Sequence, residues 1–177
     1  MYSVDVSVKG ISSLLQNRHP FPEEEEEVLR TSGVQDYSQK YELAKYLTED
    51  GRLCQPADHF IGCMKKAAVN YKIKGKRGKT FKDLVSAAVF IEPNKIIHKI
   101  QDCVKDRQWV RIQRAAVVRE RPRFDSWELD FNISVVDDQL PPEMLKEILA
   151  HGGLSVGIGD YRPRYGRFEV TKFEVAA

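Results

Sequence analysis

The chain has 177 residues, 42% hydrophobic and 31% charged, which suits one domain able to bury a core without disulfides. No uninterrupted apolar run approaches a membrane span, and Cys54, Cys63 and Cys103 are widely spaced with no Cys-x-x-Cys pair, so neither a disulfide framework nor a zinc site is indicated. The formal charge of +2 hides strong segregation: Glu23 to Glu27 are consecutive acids, whereas Lys65 to Lys82 and Lys105 to Arg123 are rich in bases.

The N-terminal residues alternate Tyr2, Val4, Val6, Val8 with Ser3, Asp5, Ser7, Lys9, the period of a half-buried strand and not of a secretion signal. An intracellular, reducing, cytoplasmic setting is therefore expected. From Gly10 to about Asp36 a small apolar patch (Ile11, Leu14, Leu15), two prolines and the glutamate run predict a mobile surface excursion. Tyr41 to Leu47 and Leu53 flank Glu49-Asp50-Gly51-Arg52, a hairpin-turn signal. Pro56-Ala57-Asp58 opens a helix whose stripe is Phe60, Ile61, Met64, Ala67, Ala68 and Tyr71.

Lys72 to Lys79, with Gly75 and Gly78, is too basic and glycine-rich for regular structure. It is either an arm closing over a phosphate backbone or a solvated loop. Thr80 to Ser86 predicts a short helix before an apolar strand at Ala87 to Ile91, stopped by Pro93. Trp109 to Arg119 and Trp127 to Val135 are strand-like and are expected to pair as an antiparallel hairpin through Glu120 to Ser126. Pro141, Pro142 and Glu143 begin a helix that Gly152 and Gly153 are expected to end, and Arg167 to Val175 is the last strand.

With insertions at about 10–55 and 72–105 set aside, the order is strand, helix, strand, strand, helix, strand. This is the ferredoxin-like (RRM-like) βαββαβ arrangement of the α+β class, a single domain over 1–177 with both helices on one face of an antiparallel sheet. The other face is free for a ligand or a second copy.

Between the last helix and the last strand runs Gly152-Gly153-Leu154-Ser155-Val156-Gly157-Ile158-Gly159-Asp160-Tyr161-Arg162-Pro163-Arg164-Tyr165-Gly166-Arg167. Glycine permits positive φ and close backbone approach, while arginine and tyrosine bring charge, donors and stacking faces. Single-strand binding uses these groups together. The alternative is a long turn shaped by its glycines with solvated arginines.

This loop, at this place in a ferredoxin-like order, resembles that of the RAMP superfamily of CRISPR-associated RNA-binding proteins. Gly153 to Gly159 and Tyr165 to Val170 carry most of the likeness. A second echo is Lys9-Gly10-Ile11-Ser12-Ser13-Leu14-Leu15, similar to the Gly-x-x-Pro-Leu start of several backbone subunits, with serine at the proline position. The resemblance implies antiviral defence and a non-catalytic protein that binds single-stranded nucleic acid, RNA favoured over DNA. It also implies side-by-side copies or a multi-subunit complex. A virus-encoded relative working outside such a complex fits the same residues.

The residues expected to bind are Gly157, Gly159, Tyr161, Arg162, Arg164, Tyr165 and Arg167 of the loop, Lys74, Lys76, Arg77 and Lys79 of the basic arm, and Arg121 and Arg123. The last two could equally form an exposed turn with solvated arginines. Trp109 and Trp127 are expected to pack in the core or at an edge. No cofactor, metal site or membrane contact is expected. Two alternatives remain: a metal-independent endoribonuclease using His151 or His19, and a protein-interaction or inhibitor module.

Overall fold

The computed structural model describes residues 1–24, 41–112 and 115–176, with the backbone alone at 110–112 and 115–117. Glu25 to Glu27, Arg114 and the side chain of Arg111, part of the charge runs above, lie outside the described residues.

The alternating N-terminal segment forms β1 (Tyr2–Gly10), the centre of an antiparallel sheet with β4 (Val89–Glu92), β8 (Glu128–Val135) and β9 (Phe168–Val175) in the order β4-β8-β1-β9. Helix α1 (Ala57–Ala68) lies between β1 and β4 in sequence, and α3 (Pro142–Ser155) between β8 and β9. The α+β ferredoxin-like arrangement therefore holds. In between come β2 (Leu14–Leu15), β3 (Cys54–Pro56), α2 (Lys82–Ala88), β5 (Lys95–Ile97), β6 (Val104–Ile112) and β7 (Ala115–Phe124).

The inward residues of the sheet are those the alternation selects. Val4, Val6, Val8, Leu129, Phe131, Ile133, Val89 and Ile91 are buried with Phe60 and Met64 of α1 and Leu145, Ile148 and Leu149 of α3. Removing such side chains from water contributes about 1.5–3 kcal/mol each. Phe60 meets Phe131 at 4.5 Å and Phe168 at 5.4 Å between ring centroids, which ties α1 to both halves of the sheet.

Three expectations are corrected. Trp109 to Arg119 does not pair with Trp127 to Val135: β6 pairs with β7, from Val104↔Arg123 to Ile112↔Ala115, while β8 pairs with β1 and β4. The second strand of the ferredoxin order is thus Val89–Glu92, the strand expected at Ala87 to Ile91 within the insertion at about 72–105. A proline suggests a strand's end, yet β7 runs through Pro122 to Phe124, and the Pro122 carbonyl accepts the Gln16 N–H at 3.0 Å.

Helix α3 does not stop at Gly152 and Gly153 but continues to Ser155. These glycines serve packing: a Cβ on Gly152 would lie 2.9 Å from Cys63 Sγ, and one on Gly153 2.4 Å from the Phe168 carbonyl. Nor is the start of the first excursion loose, since Leu14 and Leu15 are fully buried and pair as β2 with Phe124 and Arg123. The turn at Glu49 to Arg52 forms as expected, with Gly51 at φ +79° and a Leu47↔Leu53 bridge.

Candidate nucleic-acid interface

The loop leaving α3 is built on its own backbone. Val156 and Gly157 donate to the Gly152 carbonyl, Ile158 to Gly166 and Asp160 to Leu15, while Gly166 donates to Ser13, all between 2.8 and 2.9 Å. Gly157, Gly159 and Gly166 adopt φ of +72°, +78° and +74°. A Cβ on Gly159 would meet the Leu15 carbonyl at 2.4 Å, and one on Gly166 would sit 1.8 Å from that of Ile158. The glycines are demanded by the chain's approach to itself, and the Gly157 amide is already committed to Gly152.

The two segments that carry the resemblance meet here. Ile11 and Ser12 donate to the Arg167 carbonyl, and Arg167 N–H returns a bond to Ser12 Oγ at 3.0 Å. Trp127, 1% exposed, donates from Nε1 to the Ser12 carbonyl at 2.9 Å and fixes the turn after β1 from below. A Cβ on Gly10 would strike that indole ring.

With the backbone folded inward, the side chains point out. Arg162, Arg164, Arg167 and Tyr161 are exposed and Tyr165 is half-buried, its ring 6.2 Å from that of Tyr161 in an edge-on arrangement. Among the described residues, neither Arg162 nor Arg164 makes a side-chain hydrogen bond or ion pair. Gln108 Nε2 approaches Tyr165 Oη at 3.4 Å, linking the loop to β6.

The other expected residues divide. Arg121 is not on an exposed turn; it is 3% exposed on β7, where Nη1 donates to Asp160 Oδ2 at 2.7 Å and the ring of Tyr161 lies 5.5 Å over its Cζ. Arg123 is held by Asp125 at 2.7 Å and Asp106 at 3.2 Å. Both belong to the wall of the loop. The arm Lys74, Lys76, Arg77 and Lys79 is exposed on tight turns closed by the Lys72↔Thr80 bridge, with Gly75 and Gly78 at positive φ. Lys76 Nζ donates to Gln139, ahead of the first turn of α3, whereas the loop follows the last turn. At 1.5 Å per residue the intervening helix is about 20 Å long, so the tip of the arm at Lys76 is held away from the loop.

Sequence reasoning missed two features. Gln16 is fully buried and joins three segments, donating to the Cys54 carbonyl and Gln55 and accepting the Tyr46 N–H. His59 stands near the loop: burial first, and then the positive charge of Arg162, hold its imidazole below the ordinary value. His59 also meets Gln55 and packs edge-on against Tyr46 at 5.4 Å. His151 faces Tyr71 at 5.7 Å within α3, and His19 is exposed. Trp109 corrects another expectation, being 75% exposed on β6.

The sheet face opposite the helices is open and acidic. Asp5, Glu92, Glu128, Asp130, Glu169 and Glu174 outnumber Lys9, Lys99 and Lys172, with Lys99 bound to Asp130 at 2.8 Å and Lys172 to Glu174 at 3.1 Å. Phe90, 53% exposed, is the large apolar side chain on it. Such a face repels phosphate.

Two solved structures share this fold. A chain of a type III-B Cmr-beta complex bound to cognate target RNA superposes with a TM-score of 0.56 at 14% identity, over 98% of this chain and 60% of that one. A chain of a type IV-B CRISPR complex gives 0.53 at 10% identity, over 99% and 90%. The present chain thus spans under two thirds of the Cmr-beta chain, and the likeness shows a shared fold. No family model matches the sequence, and no curated protein does. Among the described residues no helix is long and apolar enough to cross a membrane, and no group of three or more His, Cys, Asp or Glu is placed to hold a metal ion.

Proposed function

We propose that this chain is a RAMP-type subunit that binds single-stranded nucleic acid, RNA in preference to DNA, at the α3–β9 loop, without cutting it and as part of a multi-subunit assembly. The observation that carries the reading is the pairing of Arg162 and Arg164, exposed beside Tyr161 and without ion-pair partners among the described residues, with an acidic sheet face. A strand is attracted to one side of the molecule and repelled from another. The shared fold with a chain of an RNA-bound Cmr-beta complex supports it.

Anisotropy of a labelled oligouridylate titrated with the protein at several salt concentrations tests the reading. Affinity should fall steeply with salt, with a slope of about 0.7 per phosphate contacted. R162E with R164E should lower affinity at least tenfold and flatten the slope by one to two contacts, similarly for all sequences. No binding at low salt overturns the proposal. Incubation with structured RNA in EDTA should leave the RNA intact; specific cuts abolished by H59A would favour a metal-independent ribonuclease instead.

A further inference from the structure

Arg121 is a buried cation that its surroundings satisfy only in part. Its side chain is 4% exposed and Nη1 is taken by Asp160, but Nε and Nη2 are buried with no hydrogen-bond partner among the described residues. A buried donor left unmet is destabilising, the more so when charged. The two orphaned N–H groups lie on the edge through which a guanidinium fork can grip a carboxylate or phosphate in parallel.

The cover over this group is itself unusual. Tyr161 lies over Cζ, is 52% exposed, and has φ +58°, the one non-glycine residue at positive φ among the described residues. A left-handed non-glycine residue is strained, its Cβ crowding the backbone. Strain and unmet donors therefore coincide at one point of the loop, next to Arg162.

We propose that Arg121 is a phosphate receptor with Tyr161 as its lid. On binding, Tyr161 lifts from the guanidinium, Nε and Nη2 donate to two oxygens of one phosphodiester, and the released ring stacks on an adjacent base. Asp160 remains on Nη1, and Arg162 and Arg164 hold the neighbouring phosphates. Asp160 and Asp106, the latter opposite Arg121 in the β6–β7 ladder, oppose an anion. The subsite is therefore weak for free phosphate and fills with a strand that the exposed arginines already hold. This inference rests on the nucleic-acid reading above and narrows it to one contact.

The test follows the Nε–H resonance of Arg121 in the full ¹⁵N-labelled chain, assigned by its loss in R121K, during titration with an oligouridylate of about eight nucleotides. The resonance should move downfield in step with binding, and inorganic phosphate alone should not move it. R121K should weaken binding roughly tenfold, whereas D160N, which keeps an acceptor and removes a charge, should tighten it about threefold. Binding that saturates while the resonance stays still overturns the subsite and leaves the broader reading intact. Movement on phosphate alone overturns the need for a strand. If the wild-type chain binds neither the RNA nor its DNA counterpart, the broader reading falls and the subsite with it.

Discussion

His98 has both ring nitrogens buried without a hydrogen-bond partner among the described residues, and its ring stacks on Phe124 at 4.4 Å and 10°. Desolvation holds its pKa down to about 4. The sign of the linkage follows: between the ordinary value near 6.5 and about 4, the unfolded chain takes a proton that the folded chain refuses. The stability involved is present above about pH 6.5 and is lost as pH falls, on the order of 3 kcal/mol by pH 4. His98→Phe keeps the stack and removes the titration, so urea midpoints at pH 7 and pH 4.5 should differ markedly less in the variant. An equal drop in both proteins would put the acid sensitivity elsewhere. Nothing in the sequence around His98 announces this burial, just as nothing separates Arg121 from Arg119 or Arg123. Residue type was legible at these positions, but burial is decided by which distant segment lies on top.

Elements were legible where the apolar period is unbroken. Tyr2 to Val8 and Leu129 to Val135 alternate without exception, and both became central strands. The reading failed where one residue type has two uses. Glycine near a helix end can stop the helix or admit a neighbour, and the sequence favours the first unless the neighbour is known. Gly62 and Gly153 separate these uses experimentally, since both lie inside helices. A Cβ at Gly62 meets nothing within 4 Å, so Gly62→Ala should raise stability by about 1 kcal/mol through helix propensity alone. Gly153→Ala has the same propensity gain but drives its methyl into the Phe168 carbonyl and ring. Its net effect should be a loss of about 2 kcal/mol or more, because overpacking against backbone has little room to relax. Denaturant midpoints of the two variants should move in opposite directions; a stabilised Gly153→Ala would mean that α3 and β9 are not in close contact.

For the molecule as a whole, the ferredoxin order was legible and a strand at Ala87 to Ile91 was expected, but not that it completes the sheet. Val89–Glu92 is short, follows directly on α2, and is recognised as a member of the sheet only through its register with β8. Charge distribution was legible in outline too, as basic stretches, yet their separation is a property of the folded chain. The loop follows one end of α3, and Lys76 at the tip of the arm meets Gln139 before the other, about 20 Å away along the helix. At roughly 3.4 Å per phosphate in a stacked strand, a stretch of about four nucleotides held at the loop cannot reach the arm, whereas one of roughly twelve can. Replacing Lys74, Lys76, Arg77 and Lys79 by glutamine should therefore leave the affinity for the short oligonucleotide unchanged and weaken the long one about tenfold or more. Its salt slope should flatten in the same comparison. Equal losses at both lengths would put arm and loop on one compact track. No loss at either length would mean that the arm is a solvated turn and that the strand leaves the loop by another route.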